Sequence, residues 1–246
     1  MNMIKYTKDL TIQCYETDAS WRLKPASFMN FAQEAAGNHA VFLGFGYDEL
    51  IAKNTAWILS RVHVVFTDTP KWKEDMTITT WHKGLNRLFY LRDFVLTDKE
   101  GRERVKATTS WLVLNLETRR LVRDPELMEE GTVCAENVIE TPADKVQMPK
   151  DIETVHVMDH VVAYSDVDMN GHTNNAMYMQ WAMDAVDYEI ASTRPVKEFT
   201  INFNKETKPG DCVAVYKARI PEGDSLKVYV EGKVDGQSAF CVEILF

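Results

Sequence analysis

Apolar residues gather in several long runs of strand character, and in two places the runs give way to a stretch that reads as a helix. A short extended run, Asp9 to Glu16, is followed by a helical stretch from Pro25 to Leu43. Pro25 suits a first helical turn, and Gly44 and Gly46 suit its end. Four runs of strand character follow: 55–66 (TAWILSRVHVVF), 76–84 (MTITTWHKG), 87–98 (RLFYLRDFVLTD) and 104–116 (RVKATTSWLVLNL). Each is dense in aromatic and β-branched residues. A hairpin turn is expected around Gly101. The pattern then breaks. Residues 121 to about 150 are acidic, hold Pro125, Pro142 and Pro149, and show no clean period. They read as a linker with one helical turn.

The plan then repeats. A strand is expected at 153–164 and a helix at 174–191 (NNAMYMQWAMDAVDYEIA), then strands at 198–207, 211–220, 226–234 and 238–246. The second helix is apolar almost all round, so it must be buried on most sides. One long helix per half, wrapped by antiparallel strands, meets that need. The expected division is a first unit over residues 1–125, a linker over 126–150 and a second unit over 151–246. Laid over each other, the halves match Tyr15-Glu16-Thr17-Asp18-Ala19 with Tyr164-Ser165-Asp166-Val167-Asp168, and Phe31-Ala32 with Trp181-Ala182 after a one-residue slip.

The densest polar cluster is 164–175 (YSDVDMNGHTNN), between a strand and the buried helix. Gly171 permits a tight turn, and Asn174 or Asn175 can cap the helix. The run DVDMNG matches the opening of a calcium loop. The twelfth position should then be Glu, yet it is Met177, and the segment before it is a strand; no metal or cofactor is expected. Turn chemistry explains most of the letters, but not His172 beside two carboxylates at a helix entrance. A helix N-terminus offers N–H groups and partial positive charge to a developing oxyanion. A carboxylate or His can take a proton from water, and an Asn can orient it. In the overlay, Asp166, Asp168, Asn170 and His172 face Thr17, Ala19, Trp21 and Leu23. The first entrance therefore reads as stripped of its polar set, leaving that half free to hold an apolar chain.

At these residues the sequence resembles hot-dog-fold thioesterases. Tyr164, Asp166, Asp168, Gly171, His172, Asn174, Asn175 and Tyr178 fill the signature. The wider pattern resembles the acyl-ACP thioesterases of plant type and their bacterial relatives. Asp168, Asn170 and His172 supply their D-x-N-x-H element. FMNFAQEAAGNHA resembles their first helix, and TAWILSRVHVVFTDTPKWKEDMTITTW the strands after it. The resemblance implies an α+β double hot-dog fold and hydrolysis of fatty acyl-ACP to free fatty acid and ACP. It also implies a further acid after the second helix, which Glu206 matches. Plant members carry a Cys next, where this chain has Thr207, and Cys212 does not match. A Cys-His mechanism is thus unsupported. Water or carboxylate attack with Asp168, Asn170, His172 and Glu206 acting together is the expected chemistry.

Composition narrows the partners. The 246 residues carry a formal charge of −9, with 45% hydrophobic and 26% charged. That balance argues against nucleic acid and anionic membrane surfaces, but leaves a local basic rim for a carrier protein open, with Arg119, Arg120 and Arg123 as candidates. Four scattered cysteines without a C-x-x-C pair fit reduced thiols. The start MNMIKYTKDL lacks a signal-peptide core, and no apolar run reaches spanning length. A bacterial, cytoplasmic enzyme, monomeric or homodimeric, is the expected setting. An acyl-CoA thioesterase, a hydratase or dehydratase of the same fold, and an acyl-binding module without turnover are the alternatives. The acyl tunnel is expected in the first half, near the first helix and the strand from Trp57 to Val65.

Overall fold

The computed structural model describes residues 4–128 and 131–246; residues 1–3 of the expected first unit and 129–130 of the expected linker lie outside the described residues. The first half runs β1 (Tyr6–Thr11), α1 (Pro25–Phe42), α2 (Tyr47–Ala52), β2 (Thr55–Phe66), β3 (Asp75–Asn86), β4 (Phe89–Asp98), β5 (Glu103–Asn115) and a short β6 (Leu121–Val122). The second runs β7 (Val155–Val161), α3 (Asn175–Ala185), α4 (Tyr188–Thr193), β8 (Glu198–Phe203), β9 (Cys212–Glu222), β10 (Ser225–Val234) and β11 (Gln237–Leu245). All strands pair antiparallel in one sheet, in the order β1-β3-β4-β5-β2-β8-β11-β10-β9-β7, with β6 on β5. Read from its centre, the order is the same in both directions: the last long strand of each half, β5 or β11, lies beside the strand that follows its helices, β2 or β8. The halves meet at β2–β8, where Val62 faces Ile201 and Val64 faces Phe199.

Helices α1 and α3 pack on each other against one face of this sheet. Their small residues, Ala32, Ala35, Ala36, Ala182 and Ala185, let helix and strands approach. Phe28, Phe94, Trp181, Phe199 and Phe240 fill the rest of a core shared by both halves. Helix α1 has 18 residues and α3 only 11. The extra turns carry Ala40 into a second cluster with Phe45, Leu50, Tyr90, Val113 and Leu127. Helix α1 begins at Pro25, as its sequence predicts. The second helix departs from expectation. It stops at Ala185, and α4 restarts at Tyr188, because Val186 turns extended into the core and the Asp187 carboxylate reaches Lys217 (2.8 Å) and Arg219 (2.6 Å) on β9.

Gly232 on β10 is one place where only hydrogen fits. A Cβ there would sit 2.1 Å from the ring of Phe240, which is fully buried against Tyr178 and Trp181. Gly232→Ala is expected to destabilise by about 1–3 kcal/mol through overpacking, read as a lower denaturation midpoint with unchanged slope.

The expected linker is pinned rather than free. Residues 131–154 contain no helix or strand, yet they cross the sheet face opposite the helices. Cys134 N–H donates to His82 O (2.8 Å), Trp81 Nε1 to Glu136 O (2.9 Å), and Val138 N–H to Asp93 Oδ2 (2.8 Å). Lys83 Nζ bonds both Asp93 oxygens (3.1 and 3.0 Å) and Ile139 O (3.0 Å). Farther on, Val146 N–H donates to Asn202 Oδ1 (2.8 Å), and Asn202 Nδ2 to Asp144 O (2.9 Å). The segment is a strap across both halves. Most of the strap's backbone bonds named here go to strand side chains, with Cys134 N–H to His82 O the exception, instead of to a ladder.

Candidate active site

The polar cluster folds as two consecutive tight turns between β7 and α3. In the first, at Tyr164–Asp166, the buried Asp166 carboxylate accepts Ala163 N–H at 2.7 Å and lies 2.9 Å from His160 Nε2. The His160 ring rests on Trp181, 4.4 Å between centroids. In the second, Asp168 Oδ1 accepts Asn170 N–H (2.8 Å), Gly171 N–H donates to Asp168 O (3.0 Å), and Asp168 N–H donates to His172 O (3.0 Å). Gly171 takes φ +73° to close this turn. Asn174 then caps α3 by accepting Ala176 N–H at 2.9 Å, which decides between the two candidate caps; Asn175 is the first helical residue.

Two of the four candidate residues meet across the chain. Glu206, in the loop just past β8, puts Oε2 3.8 Å from His172 Nε2. Both side chains are about one-third exposed, at 34% and 38%. The other two, Asp168 and Asn170, share the turn itself, with Asn170 Nδ2 3.5 Å from Asp168 Oδ2. The Glu206 loop is fastened from below. Thr207 is fully buried. Its hydroxyl bonds Thr173 Oγ1 (2.6 Å) and Tyr178 OH (3.0 Å), while its N–H donates to Tyr178 OH (3.1 Å). Burial raises the Tyr178 phenol above its ordinary range. Thr207 therefore holds the loop to α3.

Beside this cluster a narrow apolar crevice of about 20 Å³ opens between α1 and the sheet. Phe28, Ala32, Leu59, Phe94 and Ala107 line it, and Asn175 stands at its border with α3. The crevice lies against α1 and β2 in the first half.

The family model for the acyl-ACP thioesterase N-terminal domain matches residues 3–130, and that for the acyl-ACP thioesterase C-terminal domain matches residues 149–246. The chain belongs to the acyl-ACP thioesterase family. Oleoyl-acyl carrier protein thioesterase 1, chloroplastic, of Arabidopsis thaliana is 26% identical over 226 residues, covering 85% of this chain and 62% of that protein. A chloroplastic palmitoyl-acyl carrier protein thioesterase of Gossypium hirsutum is 27% identical over 213 residues, covering 82% of this chain and 52% of its own length. The chain thus spans between half and two-thirds of these curated relatives. Among solved structures, an acyl-ACP thioesterase from Bacteroides thetaiotaomicron is similar with a TM-score of 0.80 and 25% identity, covering 98% of this chain and 97% of that one. The 12:0-ACP thioesterase from Umbellularia californica has a TM-score of 0.86 at 21% identity, covering 100% of this chain and 94% of that one. The fold is the hot-dog fold of these thioesterases, α+β with a large antiparallel sheet.

Against this thioesterase frame, one expectation is corrected. The loop of the first half that matches 166–172 is Glu16–Arg22, one residue away from the overlay read in the sequence. Asp18 Oδ1 accepts Ser20 N–H (2.8 Å) as Asp168 accepts Asn170 N–H; Trp21 takes φ +64° as Gly171 takes +73°; the bridge Thr17–Leu23 repeats as Val167–Thr173. Glu16 closes its turn on Gln13 N–H (2.7 Å) as Asp166 does on Ala163. The partners of Asp166, Asp168, Asn170 and His172 are therefore Glu16, Asp18, Ser20 and Arg22. The first entrance keeps a polar set, with Arg22 paired to Asp18 at 2.8 Å. What distinguishes the second is an imidazole in the place of a guanidinium. The slip between Phe31-Ala32 and Trp181-Ala182 also vanishes in this register.

Sequence reasoning singled out Tyr178 but not its bond to Thr207, and it missed the approach of Arg119 to Glu206. The signal for Thr207 is its neighbourhood: a Thr directly after the candidate acid, in a family pattern with a small polar residue there.

Proposed function

We propose that this chain hydrolyses the thioester of fatty acyl-ACP, releasing free fatty acid and ACP. The observation that carries it is the His172–Glu206 pair beside the entrance of α3, with an apolar crevice starting at Asn175. An acyl chain laid in that crevice brings its thioester carbonyl to the first turn of α3, whose N–H groups and partial positive charge stabilise the oxyanion. Water attacks the carbonyl carbon, and the His172–Glu206 pair takes its proton. The tetrahedral intermediate then collapses, the C–S bond breaks, and the proton passes to the departing thiolate. Asn170 orients the water or the thioester, and Asp168 holds Asn170 and the turn in place. Thr207 takes no covalent part, since its hydroxyl is enclosed by Thr173 and Tyr178. The curated relatives named for oleoyl- and palmitoyl-ACP support the carrier-bound acyl group as substrate.

The same reading divides the chain into a double hot-dog: residues 1–125 as the acyl-holding unit, 126–150 as the linker and 151–246 as the unit bearing the chemistry. The palindromic strand order and the repeated turn support it. Among the described residues no helix is long and apolar enough to cross a membrane.

Release of free thiol from a panel of acyl-ACPs and matched acyl-CoAs tests the proposal. Faster turnover on ACP supports it. Faster turnover on CoA moves the activity to an acyl-CoA thioesterase, and absence of turnover on both leaves an acyl-binding module. Ala32→Phe, which fills the crevice from α1, is expected to shift the released fatty acids to shorter chains, as shown by the product profile over the same panel.

A further inference from the structure

The turn between β5 and β6 brings a residue of the first half to Glu206. Asn115 Oδ1 accepts Thr118 N–H (2.8 Å) and Thr118 Oγ1–H (2.9 Å), Arg119 N–H donates to Asn115 O (2.9 Å), and Asn115 N–H donates to Arg120 O (2.9 Å). Arg119 takes φ +55°, a left-handed conformation that carries a steric cost for a non-glycine residue. The turn accepts that cost and projects the guanidinium over the seam, where Nη2 comes 3.5 Å from Glu206 Oε2. This is the same oxygen that faces His172 Nε2 at 3.8 Å. One carboxylate oxygen thus lies between an imidazole from one half and a guanidinium from the other.

We propose that Arg119 is a positioning residue for the thioester hydrolysis argued above: it holds the Glu206 carboxylate toward His172, so that the site in the second half is completed by the first. A guanidinium is a permanent cation with a planar fork suited to fixing a carboxylate. Glu206 hangs from a loop whose neighbour Thr207 is anchored but whose own side chain is partly exposed. A second partner confines it. Among the described residues, neither Arg120 nor Arg123, the other cations singled out in the sequence, pairs with Glu206, so the assignment is to one arginine and not to a basic rim.

The inference rests on the proposed activity, and its test separates the two. Arg119→Ala and Arg119→Lys are assayed on an acyl-ACP and on the matching acyl-pantetheine thioester, which has no carrier. A positioning role predicts a fall in kcat of about tenfold for Arg119→Ala on both substrates, with KM little changed. It predicts partial recovery in Arg119→Lys, and far less than additive loss when Arg119→Ala is combined with Glu206→Gln. A rise in KM confined to acyl-ACP would overturn it in favour of carrier docking. Additive losses, or unchanged kcat in a folded variant, would also overturn it. Wild-type protein that turns over neither substrate would instead defeat the functional reading itself.

Discussion

Replacing His172 with alanine is expected to lower thioester turnover by about 100-fold or more, the usual loss when a group that moves a proton or steadies charge in the transition state is removed. Glu206→Gln is expected to match it, because the amide keeps the shape and loses the base. Neither change should alter unfolding by more than about 1 kcal/mol, since both side chains are partly exposed and 3.8 Å apart, and exposed pairs of this kind contribute no more than that. Steady-state rates beside thermal melts decide the matter. Equal melts with collapsed kcat would place both residues in the chemistry. Unchanged kcat in His172→Ala would remove the imidazole from the mechanism.

Asp93→Ala should do the reverse: it should cost about 3–5 kcal/mol of stability, the range for breaking one partner of a buried ion pair. Asp93 is fully buried, the Lys83 side chain is 6% exposed, and their charges meet at 3.0 Å beneath the strap. Without the carboxylate, Lys83 keeps a buried charge with Ile139 O as its remaining acceptor, and Val138 N–H loses its partner. Replacing both Lys83 and Asp93 with apolar residues of similar volume should recover much of the loss, because the penalty lies in the stranded charge more than in the pair's net worth. Chemical denaturation of the two single variants and the double variant measures this. A loss under 1 kcal/mol in Asp93→Ala would show that the strap admits water to Lys83.

The strands were legible because runs such as β2 and β5 are long and dense in aromatic and β-branched residues, which suit a pleated, half-buried surface. Helix α1 was legible from Pro25 at its start and Gly44 and Gly46 past its end. The break at Val186 was not. The residues that interrupt the helix are held by Lys217 and Arg219, some thirty positions on, and nothing local marks them. Helix α2 (Tyr47–Ala52) is too short to show a period. The overlay of the halves slipped because it matched Tyr15 with Tyr164, both exposed, when the conserved feature of the fold is a backbone angle. Trp21 and Gly171 share that angle and no letters. Within the site, His172, Asn170 and Asp168 stand in one short run and could be seen together. Glu206 needed the family resemblance to be picked out. Its contact with Arg119 joins residues 87 positions apart and depends on the seam, which composition cannot reveal.

That seam also sets an order of assembly. Strand β2 ends at Phe66, and its partner β8 begins at Glu198, 132 positions later. At a synthesis rate of about 5–20 residues per second, the free edge of β2 waits on the order of ten seconds for the strand that closes it. During that interval β3, β4 and β5 can already form hairpins from nearby residues, whereas closing the long loop comes late. The waiting edge carries Arg61 and His63 among its apolar residues, and charged or polar groups on an open strand discourage pairing with another chain. The strap and both long helices leave the ribosome before β8 does, so the two faces of the first-half strands can be covered while the edge of β2 is still open. A nascent chain stalled before Glu198 would therefore present covered faces and one sticky margin, which makes the second half the element that ends the hazard of aggregation.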